Sequence, residues 1–411
     1  MAATTNGDHS KTLSFSDHFV QIINGKAFQT EKSRNGVNPA NLTAKAEVPV
    51  ATREDLDLAV AAAKDAFKTW SKVPYEDRKK AVLAYADAVD SYRTQFRDLL
   101  ISEQGKPPSP FTPYCGLKLV ELAQQFFPPG VVQSLSGDDD LGPWLTSHTG
   151  IDKISFTGST TTGKLVMQSA SKTLKRVTLE LGGNDPAIVF PDVDVDKVAE
   201  KVAFFAFLNS GQICLNLKRI YVHESIFDQF KEALVKHVKG YNLGDGSQPG
   251  VTHGPLQNSM QYERVKTFFL DIESQGWKVA VGGNIEKSQG YFITPTIIDR
   301  PPEKSRLVVE EPFGPIVPLL SWSSEDEVIS RANDTSMGLG ASVWTNDLKK
   351  AAEVAKQIQA GNVWINTHFD LSPLAPFGGH KESGIGTEWG ANGLKAFCNN
   401  QTLFLNKQVA C

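Results

Sequence analysis

Cysteine is scarce in this chain, four in 411 residues, and none of Cys115, Cys214, Cys398 and Cys411 lies in a C-x-x-C pair or in a Cys/His pairing. That pattern argues against a disulfide framework and a zinc site, and the thiols are expected to be reduced in a cytoplasmic protein. No apolar run approaches the length of a bilayer span, and Met1 to Lys11 is polar, without the apolar core of a signal peptide, so no membrane association is expected. Positive charge is not in excess either. Lys+Arg 42 against Asp+Glu 46 leaves a formal net charge of -4 and no basic field for a phosphate backbone, so nucleic acid is not an expected partner.

What is present fits a globular protein of more than one domain. The length exceeds a single ordinary core, and a 40% hydrophobic content is enough to fill two. Near the start, Phe19 to Phe28 reads as a hairpin around Asn24-Gly25. Thr52 with Asp55 resembles a capping box ahead of Leu56, Ala59, Val60, Ala63 and Phe67 at helical spacing. A second helical stretch is expected from Tyr75 to Leu100, and a short one from Leu117 to Phe127. Further on, the text alternates strands (Arg219 to Val222, Val279 to Val281, Gly290 to Ile293) with helices (Phe227 to Val238). Strands at Gly340 to Trp344 and Asn362 to Asn366 flank a helix from Asp347 to Ala360, with Gly361 as its C′ residue, which makes a βαβ unit. The class is α/β.

Two residues stand where chemistry is possible. Glu180 ends the β-rich run Val177-Thr178-Leu179 and precedes Leu181-Gly182-Gly183, a strand end at a sharp turn. Cys214 closes Phe207-Leu208-Asn209-Ser210-Gly211-Gln212-Ile213, directly after a helical pattern of Val195, Val198, Ala199, Val202, Ala203 and Ala206. A free cysteine by itself is most often a small buried hydrophobe. Ahead of both comes a third feature: Lys153 to Phe156 reads as a strand running into Gly158-Ser159-Thr160 and then a helix. Such a turn can bring backbone N–H groups and a helix N-terminus to a pyrophosphate, although it lacks G-x-G-x-x-G and the spacing alone is a weak signal.

Taken in order, these segments resemble the aldehyde dehydrogenase superfamily, whose nucleophile lies in F-x-x-x-G-Q-x-C and whose general base lies in L-E-L-G-G. The resemblance continues through Glu310-Glu311-Pro312-Phe313-Gly314-Pro315 and Pro376-Phe377-Gly378-Gly379-His380-Lys381-Glu382-Ser383-Gly384. It implies an α/β fold with a Rossmann-type cofactor domain over residues 1–183, an α/β catalytic domain over 184–370, and a return to the cofactor domain with an oligomerisation tail over 371–411. It implies Cys214 and Glu180 as the catalytic pair, Gly158, Ser159, Glu311 and Phe313 as cofactor contacts, NAD or possible NADP as the cofactor, and no metal. The tail Gln401 to Asn406 has strand character, and the family uses such a tail to extend a neighbouring subunit's sheet, which points to a homo-oligomer.

The sequence departs from the family after Lys106-Pro107. A block that carries a P-W-N motif, sheet strands of the cofactor domain and an oligomerisation hairpin is absent, so the cofactor domain is expected to be truncated. Asn184 also replaces the lysine frequent after L-E-L-G-G, and Pro110 stands where many NAD-preferring members have a glutamate. The function implied is oxidation of a small-molecule aldehyde to a carboxylic acid through a Cys214 thiohemiacetal and thioester. The alternative is a non-catalytic or impaired member lacking the P-W-N asparagine, and a lesser one is ester or thioester hydrolysis alone.

Overall fold

The computed structural model describes residues 12–105, 113–285 and 288–406. Its largest element is a seven-stranded sheet. In spatial order the strands are Asn362–Ile365, Gly340–Trp344, Asp185–Val189, Leu217–His223, Ile316–Trp322, Thr296–Asp299 and Lys278–Val281. All neighbours are parallel except the last pair. Parallel strands are covered on both faces, which is why these segments read as continuous apolar runs. Alternate residues serve opposite cores: Ala187 and Val189 join the helices Val195–Phe207 and Phe227–Lys239 on one face, whereas Ile188 meets Val328 and Val354 on the other.

A second, three-stranded sheet stands beside it, ordered Gly384–Ile385, Arg176–Glu180, Lys153–Thr157. The latter two strands are parallel, and the first pairs antiparallel with Glu180 and Leu179. The helix Thr160–Ser171 covers this sheet through Val166, which packs on Leu179 and Leu181. The return of the chain after residue 380 therefore supplies an edge strand to the sheet that ends in Glu180.

Local signals near the start fold as read. Gln21–Ile23 and Lys26–Phe28 pair around Asn24 and Gly25, at φ 50° and 74°, the left-handed pair a two-residue hairpin needs. The helix Arg53–Trp70 opens on a complete Thr52/Asp55 capping box. The stretch from Tyr75 is two helices, Tyr75–Ser91 and Arg93–Gln104, divided at Tyr92 by backbone at φ -99° and ψ 15°. The short helix runs over Pro113–Ala123, earlier than its apolar spacing suggests.

Three expectations are corrected. Gly290 to Ile293 forms no strand, because Tyr291 bridges two other segments: its N–H donates to the Pro39 carbonyl (3.0 Å) and its carbonyl accepts from Leu256 (2.9 Å). The sheet strand is Thr296–Asp299. The helix before Gly361 is Leu348–Ala355 with Lys356 at its cap, so Gly361 is not its C′ residue. Finally, residues 401–406 are irregular and exposed rather than a strand. Lys106, the junction after Pro107, Pro110 and Cys411 lie outside the described residues.

Candidate active site

The helix Val195–Phe207 starts on Asp194, whose side chain accepts from the Lys197 N–H, and buries Ala199, Val202, Ala203 and Ala206. It cannot continue, because Asn209 and Ser210 adopt φ 57° and Gly211 φ 71°. This left-handed run turns the chain and delivers Cys214 ahead of the central strand Leu217–His223. Side chains then fix the loop. Asn216 Oδ1 accepts from the Ile213 N–H (2.7 Å), and Asn216 Nδ2 donates to the Phe205 and Leu208 carbonyls (2.8 and 3.1 Å). The Gln212 amide donates to the Pro255 carbonyl, and buried His368 sits 2.6 Å from the Leu215 carbonyl.

Glu180 arrives from the other sheet. It ends the strand Arg176–Glu180, is 7% exposed, and neither carboxylate oxygen has a hydrogen-bond partner among the described residues. Burial, with the nearby Glu388 carboxylate adding to it, pushes its pKa up to about 8. Glu388 is itself held by the Ser155 hydroxyl.

The motifs meet around Gly182 and Gly183. A methyl group on Gly183 would lie 2.3 Å from the Cys214 carbonyl oxygen and 2.9 Å from Asp185 Oδ1. The Gly183 N–H donates to Glu311 Oε1 (3.2 Å), so the third motif joins the first two. Opposite, Gly211 abuts the Gly314 carbonyl, which packs the cysteine loop directly on the Glu311–Pro315 turn. Gln261 holds that turn by donating to the Pro312 and Phe313 carbonyls (2.9 and 2.8 Å), and Phe313 takes φ 50°. The contact at Gly183 gives a direct test. Gly183→Ala is expected to cost on the order of 1–3 kcal/mol of stability and to displace the cysteine loop. Thermal unfolding measures it, and an unchanged midpoint would contradict the contact.

Gly158 is bonded into the same centre, since its N–H donates to the Glu180 carbonyl (3.0 Å). Ser159 differs from expectation in how it is used: its hydroxyl accepts from the Thr162 N–H (3.2 Å) and pairs with the Thr162 hydroxyl (2.9 Å), so it caps the helix Thr160–Ser171. Both residues are exposed, and that helix N-terminus faces solvent.

Cys214 is a free thiol, partly buried, and burial pushes its pKa up to about 12. Lys218 acts in the opposite direction, while Asp185, Glu311 and Glu180 add to the rise. Lys218 and Asp185 carried no signal in the sequence reading. Lys218 donates to the Ile213 and Cys214 carbonyls (2.9 and 2.7 Å) and pairs with Glu311 Oε1 (3.0 Å). Asp185 is fully buried with its carboxylate packed against the Gly340 backbone, and burial raises its pKa to about 7.

A cleft of about 230 Å³ opens nearby, lined among others by Asn362, Trp364, Leu371, Phe377 and Trp389. Its wall continues into Gly378, where a methyl group would lie 3.8 Å from a Glu180 carboxylate oxygen. Trp364 also meets His368 edge-on at 4.7 Å. Among the described residues no group of three or more His, Cys, Asp or Glu side chains is arranged to hold a metal, and no helix is long and apolar enough to cross a membrane.

This geometry agrees with what the chain is similar to. The sequence profile of the aldehyde dehydrogenase family matches residues 27–108 and 107–403. A putative aldehyde dehydrogenase, FUS7 of Gibberella fujikuroi, is 36% identical over 466 aligned positions, covering 95% of this chain and 99% of the relative. Aldehyde dehydrogenase LUC3 of a Fusarium species is 36% identical with the same coverages. Among solved structures, the NAD+ complex of aldehyde dehydrogenase from Bacillus cereus superposes with a TM-score of 0.90 at 30% identity, covering 95% of this chain and 97% of that one. With a profile match over most of its length and such relatives, the chain belongs to the aldehyde dehydrogenase family.

Proposed function

We propose that this chain oxidises an aldehyde to a carboxylic acid with NAD or NADP, Cys214 serving as nucleophile and Glu180 as general base. The observation that carries this reading is the gathering of Glu180, Cys214 and Glu311 from three separate motifs around Gly182-Gly183. The solved relatives from Bacillus cereus and Pseudomonas syringae hold NAD+, and the latter also octanal.

The residues present fit a dinucleotide. The exposed N-terminus of the twelve-residue helix behind Gly158 and Ser159 suits a pyrophosphate, and Glu311 and Phe313 share one turn against the cysteine loop. When bound, the nicotinamide supplies the hydride acceptor. The chain supplies the rest. The Cys214 thiolate adds to the aldehyde carbonyl, and the Cys214 backbone N–H donates to the oxygen that becomes charged. Loss of hydride from that tetrahedral adduct leaves a thioester on Sγ. Glu180, whose carboxylate has no hydrogen-bond partner among the described residues, takes a proton from water, and the hydroxide attacks the thioester to release acid. The cleft lined by Trp364, Phe377 and Trp389 is the apolar surface offered to the aldehyde's tail.

The same reading includes a shortened cofactor-binding part, residues 1–183 flanking a catalytic part over 184–370, with the return segment over 371–411. It is supported by the strand membership of the two sheets, by a family match that breaks at residues 107–108, and by alignment over 466 positions of a 411-residue chain. A missing oxyanion donor costs about 10² to 10³ in rate, so an impaired enzyme is the second reading. The three free thiols among the described residues suit a cytoplasmic setting. Exposed Leu403, Phe404 and Leu405 suit coverage by another copy.

Titration with NAD and then NADP, followed by protein fluorescence and thermal unfolding, tests the cofactor half. One dinucleotide is expected to raise the melting temperature, with stabilisation growing with its concentration. A folded protein that neither stabilises would overturn the dehydrogenase reading and leave hydrolysis by Cys214 and Glu180 as the remaining activity.

A further inference from the structure

The strand Leu217–His223 runs through the middle of the seven-stranded sheet, between Asp185–Val189 and Ile316–Trp322, and a lysine there must be accounted for. The Lys218 side chain is 4% exposed. An ammonium has three N–H donors, and here each has an acceptor: the Ile213 carbonyl at 2.9 Å, the Cys214 carbonyl at 2.7 Å and Glu311 Oε1 at 3.0 Å. Two of these acceptors belong to the proposed nucleophile and the residue before it. The third belongs to the carboxylate proposed to face the cofactor, and that oxygen also accepts from Gly183, next to the base motif.

We propose that Lys218 is a positioning residue for this site: its ammonium pins the Cys214 loop and the Glu311 carboxylate to one point, so that nucleophile and cofactor-side carboxylate are held in a fixed relation. The inference rests on the reading of Cys214 as nucleophile. A solvated lysine would not be buried with every donor used, and a purely architectural one would have no reason to select the nucleophile's own carbonyl. The charge has a second consequence. Lys218 is the cation acting on Cys214, against Asp185, Glu311 and Glu180 on the facing elements, and it favours the thiolate.

The test uses the full chain without cofactor and reads the rate of Cys214 alkylation by iodoacetamide against pH, by mass spectrometry of the Cys214 peptide. Exposed Cys398 serves as internal reference. Lys218→Met is expected to slow Cys214 alkylation, relative to Cys398, roughly tenfold at a fixed pH of about 8.5, and Lys218→Arg to restore most of the rate. Glu311→Gln, which leaves the lysine in place and removes a facing negative charge, is expected to speed alkylation at that pH and serves as the second variant if Lys218→Met does not fold. An unchanged rate in folded Lys218→Met, or a slower rate in Glu311→Gln, would overturn the proposal. A role confined to folding would change the melting temperature and leave the alkylation rate alone. Absence of aldehyde turnover in the unmodified chain, with the alkylation response intact, would instead fault the assigned reaction.

Discussion

Cys214→Ala is expected to remove aldehyde oxidation, with a fall in turnover of roughly 10⁴-fold or more across any panel of aldehydes. Among the described residues no other thiol stands in its place: Cys115 is buried in the helix Pro113–Ala123, and Cys398 is exposed. The substitution removes one sulfur from a partly exposed position. The loop is held by Asn216, Gln212, Lys218 and His368 through backbone groups that alanine keeps. Fold and dinucleotide binding are therefore expected to survive, and reduced-nicotinamide formation is the measurement. Substantial residual turnover in the variant would assign the nucleophile elsewhere.

Glu180→Gln is expected to lower turnover by about 10² to 10⁴, with thioester hydrolysis as the step that fails. The pH profile carries the sharper signature. A carboxyl whose pKa is raised to about 8 is mostly protonated at neutral pH, so turnover rises as pH passes through that value and then levels. The glutamine variant loses that limb. Stability moves the other way with pH, because the folded state binds a proton that the unfolded chain releases near the ordinary carboxyl range. This group's share of stability is full below that range and is lost as pH rises through about 8, and Glu180→Gln flattens that part of the curve. Asp185, raised to about 7, contributes in the same direction and stays in the variant.

The contrast between what could and could not be read beforehand follows from range. Glu180 and Cys214 each end a run with a clear local period beside turn-forming glycines, so both positions and their strand or loop settings were legible. The capping box at Thr52 and the Asn24-Gly25 turn are likewise complete within a few residues. Lys218 was not legible, because its role depends on Glu311, far along the chain, and on backbone carbonyls that carry no side-chain signature. Asp185 likewise has no local signature and is a buried strand residue with raised pKa. Tyr291 has strand propensity, yet its hydrogen bonds go to Pro39 and Leu256, partners no local pattern contains. Ser159 stands at a strand-to-helix turn that the local pattern marks, and its hydroxyl is used within its own helix turn.

The most direct measurement is the intact mass of Glu180→Gln after incubation with NAD and each of a series of straight-chain and aromatic aldehydes. With hydrolysis blocked, a thioester is expected to accumulate on Cys214, adding the acyl mass to that peptide in a NAD-dependent manner and releasing one reduced nicotinamide per chain. A protein whose Cys214 still reacts with iodoacetamide but gains no acyl group with any aldehyde would contradict the assignment of this site to aldehyde oxidation.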